Sequence, residues 1–143
     1  MNASAPIHDY AAGQIDRLLT QLATDLKRTQ TKSEPDPIHD LRVGIRRFSQ
    51  ALRIFRDFLP GAEIKPIRKL LKEMMDLTSE VRNRDIALKL ISDSKNTKLR
   101  QQLRKDRKAY AERFREVVRR WNAESLPAKW RSMLQVRQGS VRQ

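Results

Sequence analysis

Residues 38–56 read IHDLRVGIRRFSQALRIFR, which puts one histidine and five arginines on a stretch with a single acid, Asp40. Like charges at i, i+3 and i+4 of a helix repel one another, so a helix that collects them is built for an anion from outside. At about 100° per residue, His39, Arg42, Arg46, Ser49, Arg53 and Arg56 step by three and four along one flank. A second stretch repeats the rhythm with Lys65, Arg68, Lys72, Met75, Ser79 and Arg82. The planar guanidinium fork suits bidentate contacts to phosphate or carboxylate oxygens, and a lysine supplies a point charge. The competing explanation is a solvated basic face. Against it, the only acids between Asp36 and Leu59 are Asp36, Asp40 and Asp57, too few to pair the arginines within their own helix. His39 alone reads as a hydrogen-bonded structural histidine near a helix start. At the end of a basic line it would also donate to an anionic oxygen, whose charge favours the protonated ring.

The elements that must position these lines follow from periodicity. Ile15, Leu18, Leu19, Leu22 and Leu26 mark a first helix over about 11–29, ended by the polar TQTKSEPDP. Asp36 as N-cap and Pro37 at the first position open a second helix that runs to Leu59, before Pro60 and Gly61. Its core stripe is Ile38, Leu41, Ile45, Phe48, Leu52, Phe55 and Leu59. A third helix starts near Lys65 or Pro66, with Ile67, Leu70, Leu71, Met74, Leu77 and Val81 as its stripe, and continues to about Ser92. Asn96 or Thr97 opens a fourth, whose seam is Leu99, Leu103, Tyr110, Phe114, Val117 and Trp121. Lys98, Lys105, Lys108, Arg115 and Arg119 give it a looser basic line. A short helix around Trp130 and Leu134 precedes a basic tail, and no β-alternation occurs. Long helices joined by short loops pack as antiparallel neighbours. The expected fold is therefore all-α: an up-and-down four-helix bundle with a short C-terminal helix, one domain over 1–143 with its core at about 10–122. If the second and third helices are neighbours, their basic lines wall a groove.

Composition narrows the partner. The 143 residues hold 31 Lys and Arg against 17 Asp and Glu, a net charge of +14, which favours a polyanion. Nucleic acid is the main rival to a simpler polyphosphate, because counterion release rewards any phosphodiester chain. Stacking platforms are lacking, however: aromatics are 6% of residues, and Phe48, Phe55, Tyr110, Phe114 and Trp121 fall on core stripes. No short turn leads into a recognition helix either, so non-specific DNA or RNA binding is what remains of that reading. The dipeptides His8-Asp9 and His39-Asp40 suggest metal-dependent phosphohydrolases, but two histidines supply too few ligands. With no cysteine and only four glycines, thiolate chemistry and glycine-rich phosphate loops are excluded. Neither catalysis nor a metal nor a cofactor is expected. No run of about 18 apolar residues could span a bilayer, the apolar face of the tail WRSMLQVRQGSVRQ is short, and Met1 to Tyr10 lacks a signal-peptide layout. The expected location is cytoplasmic.

The segment HDLRVGIRRF, with His39, Arg42, Arg46 and Arg47, resembles the signature of the CHAD (conserved histidine α-helical domain) family. SEVRNRDIAL is similar to the family's second motif, Arg-Asp-x-Asp, carried here by Arg82, Asn83 and Asp85. The resemblance spans about residues 10–120. It implies an all-helical fold that binds inorganic polyphosphate and sits on polyphosphate granules. By that similarity His39, Arg42, Arg46, Arg47 and Arg53 are ligand contacts, with Lys72 and Arg82 lining the same site. Ser49 stands where the family commonly has another arginine, Ser79 where a glycine is common, and Asn83 replaces the first aspartate of the second motif. The family usually pairs two helical bundles by pseudo-symmetry, and this chain resembles one of them. A homodimer would rebuild the pair around one groove.

Overall fold

The computed structural model describes residues 5–31 and 35–135 of the chain. Five α-helices follow in order: α1 (Ala5–Thr31), α2 (Pro35–Ile54), α3 (Gly61–Leu90), α4 (Thr97–Ala123) and α5 (Leu126–Met133). A 3-10 turn over Arg56–Phe58 joins α2 to α3, and the described residues include no strand. The all-α bundle architecture is as the periodicity requires.

Each helix buries one stripe. Leu41, Ile45, Phe48 and Leu52 on α2 are sealed from solvent, as are Ile15, Leu19, Leu22 and Leu26 on α1. Each such side chain stabilises the fold by about 1.5–3 kcal/mol. The α1–α2 and α3–α4 hairpins form the two most extensive helix contacts, while α2 and α3 meet more sparingly. That looser seam leaves room for a groove between them.

The fourth corner of the bundle is shared by two helices. Near the C-terminus of α1, Asn122 of α4 donates to the Leu26 carbonyl and to Gln30. Further down α1, α5 takes over: Arg131 donates to Asp16 Oδ1 at 2.8 Å and to Thr20 Oγ1 at 2.9 Å. Ser125, in the left-handed region at φ 51°, makes the turn between them. Trp130 then drops into the core, stacked on Phe48 with centroids 6.0 Å apart and edge-on to Trp121 at 5.3 Å. The short helix is a plug for the lower half of the core.

Several boundaries move from their expected places, for physical reasons. Helix α1 starts at Ala5, two turns early, where Tyr10 packs edge-on against Phe55 and His8 against Phe58. Helix α2 stops at Ile54 and not Leu59, because the chain tightens into the 3-10 turn, where Phe58 N–H donates to the Phe55 carbonyl. It begins at Pro35, one residue before the expected cap, and the Asp36 cap lies outside the described side chains. Helix α3 begins at Gly61, so Pro66 sits in its second turn. The carbonyl that Pro66 leaves unbonded belongs to Ala62, which is exposed and can be solvated. Of the two expected openers of α4, Asn96 is the N-cap: its Oδ1 accepts from Leu99 N–H at 3.0 Å.

Candidate functional site

The antiparallel packing of α2 and α3 sets their basic lines face to face. Arg42 reaches Ser79, and by the register that contact sets Ser49 is opposite Lys72 and Arg53 opposite Arg68, while Arg56 and Lys65 line the same pocket. Because both lines step by three and four, this register matches them rung for rung, with rungs about 5–6 Å apart along each helix. The main part of the groove has a volume of about 990 Å³, a partly apolar floor of Ile64, Leu71 and Met75, and a rim of Arg56, Lys65, Arg68, Lys69 and Lys72. A smaller lobe adds Arg46, Gln50 and Arg53. Along α2 the cations from Arg42 to Arg53 extend about 16 Å, and Arg56 follows in the 3-10 turn.

Charge compensation inside the groove is slight. Among the described residues Arg46, Arg53, Arg56, Arg68 and Arg82 form no ion pair, and all five are exposed. Asp40 is already taken by Arg28 of α1 at 2.7 Å. Lys72 pairs with Asp76 at 3.0 Å, in the open, where such a pair is worth little. Asp57 lines the lower end and is its one acid. The cations thus keep their donors for a ligand.

Arg42 has a different setting. Its Nη1 lies 3.0 Å from the Met75 carbonyl oxygen, 2.5 Å from Thr78 Oγ1 and 3.0 Å from Ser79 Oγ. Thr78 is fully buried, and its hydroxyl lies 3.1 Å from the Met74 carbonyl and 3.0 Å from that of Met75. Burial first, then the neighbouring Arg46 and Arg82, bring the Arg42 pKa below its ordinary value. Arg42 is therefore a strut between α2 and α3 at the upper end of the groove, with part of its guanidinium already committed.

Two of the residues singled out in the sequence face elsewhere. Arg47 and His39 line a cavity of about 440 Å³ between α1 and α2, with Asp25, Arg28 and Asp40. By register His39 stands opposite Arg82, but its side chain is part of the wall shared with α1. Asp25 is 3% exposed, and its Oδ1 accepts from Gln21 Nε2 at 3.1 Å. Burial pushes its carboxyl pKa up, partly offset by the Gln21 hydrogen bond; Asp40 adds to the rise and Arg28 opposes it. Gly44 makes the close approach of α2 tolerable, since a Cβ there would stand 3.1 Å from Asp25 Oδ2. The structure thus gathers Arg42, Arg46, Arg53, Arg56, Arg68, Lys72 and Arg82 along one seam and sets His39 and Arg47 on the far flank of α2.

Sequence reasoning did not single out Lys69, Gln50 or Thr78. Lys69 sits off the line on a helical wheel and reaches the rim through its long stem. Thr78 reads as a polar break in a core stripe, and only the buried partner explains it. Among the described residues no three histidine or carboxylate side chains cluster as metal ligands do, and no helix is long and apolar enough to cross a membrane.

No curated protein and no solved structure matches the chain. The family model of the CHAD domain does, over residues 10–143, which takes in both basic lines and also the C-terminal segment beyond the two motifs. The chain belongs to the CHAD domain family.

Proposed function

We propose that the α2–α3 groove holds inorganic polyphosphate without catalysing its turnover. CHAD domains are polyphosphate-binding modules. The observation that carries the reading here is the pair of facing cation lines, in which Arg46, Arg53, Arg56, Arg68 and Arg82 form no ion pair among the described residues. A flexible chain of phosphates can lie between them and take charge-assisted hydrogen bonds from either wall. Arg46, Arg53, Arg56, Arg68, Lys72 and Arg82 are the proposed contacts, with Arg42 fixing the spacing of the walls. His39 and Arg47, on the other flank, serve at most the end of the bound chain. By the same reading the protein associates with polyphosphate granules, and two copies close over one chain as a homodimer, which light scattering with and without ligand would reveal.

The test compares long-chain polyphosphate, single-stranded RNA and duplex DNA at physiological and raised salt. The variant is Arg46→Glu with Arg53→Glu; Arg42 is left alone because it holds α2 to α3. The expected result is that polyphosphate binding survives the higher salt best and is lost in the variant, while helicity is unchanged. Equal affinity for all three polymers, untouched by the variant, would leave only non-specific attraction by net charge.

A further inference from the structure

The α3–α4 hairpin outruns the rest of the bundle. No described residue between Val81 and Ala111 is buried, a long gap in a chain whose other helices bury a residue nearly every turn. The contact of Arg42 with Ser79 fixes the register, and by it Pro35, where α2 begins, is about level with Ile86. The last turn of α3, the connection and the first turns of α4 stand beyond that level. Just below them Arg107 pairs with Asp85 at 2.5 Å and Arg84 stacks on Tyr110 at 4.8 Å, and within the tip Arg100 donates to the Ser94 carbonyl.

This tip carries two properties together. Leu90 is 80% exposed, Ile86 46% and Leu99 43%, three of the six large apolar side chains exposed among the described residues. Between Ala87 and Lys105 six Lys and Arg stand against one acid, Asp93. None of the six forms an ion pair among the described residues. On α3 the basic line itself changes character here: the steps that bring Lys65, Arg68, Lys72, Met75, Ser79 and Arg82 to one flank continue by four to the apolar Ile86, with Leu90 one turn further on.

We infer that this tip docks on an anionic lipid surface. A second copy of the same tip would set six cations against six, with two aspartates to offset them, and such repulsion is felt over a Debye length of about 8 Å. A partner must therefore be anionic and also accept apolar side chains. The tip is convex, so a surface that yields around it fits better than a preformed groove. Leu90, Ile86 and Leu99 enter the boundary between headgroups and acyl chains, while Lys89, Lys95 and Lys98 remain at headgroup level on their flexible stems. This inference is independent of what the groove holds.

The test is co-sedimentation with vesicles of phosphatidylcholine alone and of equal parts phosphatidylcholine and phosphatidylglycerol, at physiological salt. The variants are Leu90→Asp with Leu99→Asp, Lys95→Glu with Lys98→Glu, and the groove variant Arg46→Glu with Arg53→Glu. The four substituted tip positions are exposed, so thermal melting should be unaltered. Wild type is expected to bind the mixed vesicles and not the neutral ones. Each tip variant should lose roughly tenfold or more of that binding, and the groove variant should retain it. Failure to bind the mixed vesicles overturns the inference, as does equal binding to neutral ones. So does a loss confined to the groove variant, or a dimer without lipid that Leu90→Asp abolishes, which would make the occupant a second copy.

Discussion

The two flanks of α2 carry the same kinds of residue and do different things with them. On the α3 flank, Arg46, Arg53 and Arg56 meet Arg68 and Lys65 across an open seam, with Asp57 as the one acid lining it. On the α1 flank, Arg47 and His39 share a wall with Asp25, Asp40 and Arg28, where the last two already form an ion pair. Arginine content alone would rank the flanks equally. What separates them is whether the neighbouring helix brings carboxylates or more cations, and that depends on packing. An anion gains on the first flank and meets carboxylates on the second.

Breaking the comparison at the groove should have the largest effect. Arg46→Glu with Arg53→Glu removes two charge-assisted contacts, each worth about 1.5–3 kcal/mol. Polyphosphate affinity should fall by roughly a thousandfold, read by calorimetric titration. Arg47→Glu, a single such reversal on the other flank, should alter it by less than about threefold, since only screened long-range repulsion is added. Comparable losses in the two variants would erase the distinction between the flanks.

The next effect is on stability and separates a buried polar contact from an exposed one. Thr78→Val removes the buried hydroxyl that meets Arg42 and should destabilise the fold by about 1–3 kcal/mol in urea unfolding. Arg28→Ala, which breaks the half-exposed pair with Asp40, should cost under about 1 kcal/mol. Equal costs would mean that Arg42 is not the strut between α2 and α3.

Asp25 gives the smallest effect, and its sign depends on pH. Its folded pKa lies above the ordinary 3.8, so the native state holds the proton more tightly than the unfolded chain does. Below 3.8 both states are protonated and the group costs nothing. As pH rises through the raised folded value, stability is lost. Asp25→Asn should therefore raise the melting temperature at neutral pH, with the gain shrinking as pH falls toward 3.8. A variant that melts lower than wild type at pH 7 would show that the ionised carboxylate is held by a cation of the α1 flank.

Much of this was legible in the residues. The alternation of three and four that defines a helical face gave both basic lines, and two lines on neighbouring helices imply a groove whatever their register. The start of α4 was legible to within a residue, because Asn96 and Thr97 are both residue types that open helices. The strut was not legible: Arg42 falls on the same line as Arg46, and only the buried threonine across the seam tells them apart. Gly44 reads as a weak point in a helix until Asp25 is seen beside it. The exposed tip was hidden for a related reason. Leu99 continues the apolar period of α4, and periodicity shows which residues share a face, not whether anything covers it. The end of α2 at Ile54 eluded the pattern because Phe55 and Leu59 keep helical spacing through the 3-10 turn.

The most direct measurement is amide chemical-shift mapping of the isotopically labelled protein as long-chain polyphosphate is added. Perturbations are predicted to concentrate on α2 and the 3-10 turn from Arg46 to Arg56 and on α3 from Lys65 to Arg82, leaving Asp25, Arg28 and Arg47 nearly still. Shifts centred on His39 and Arg47, or spread evenly over every basic helix face, would contradict a site in the α2–α3 groove.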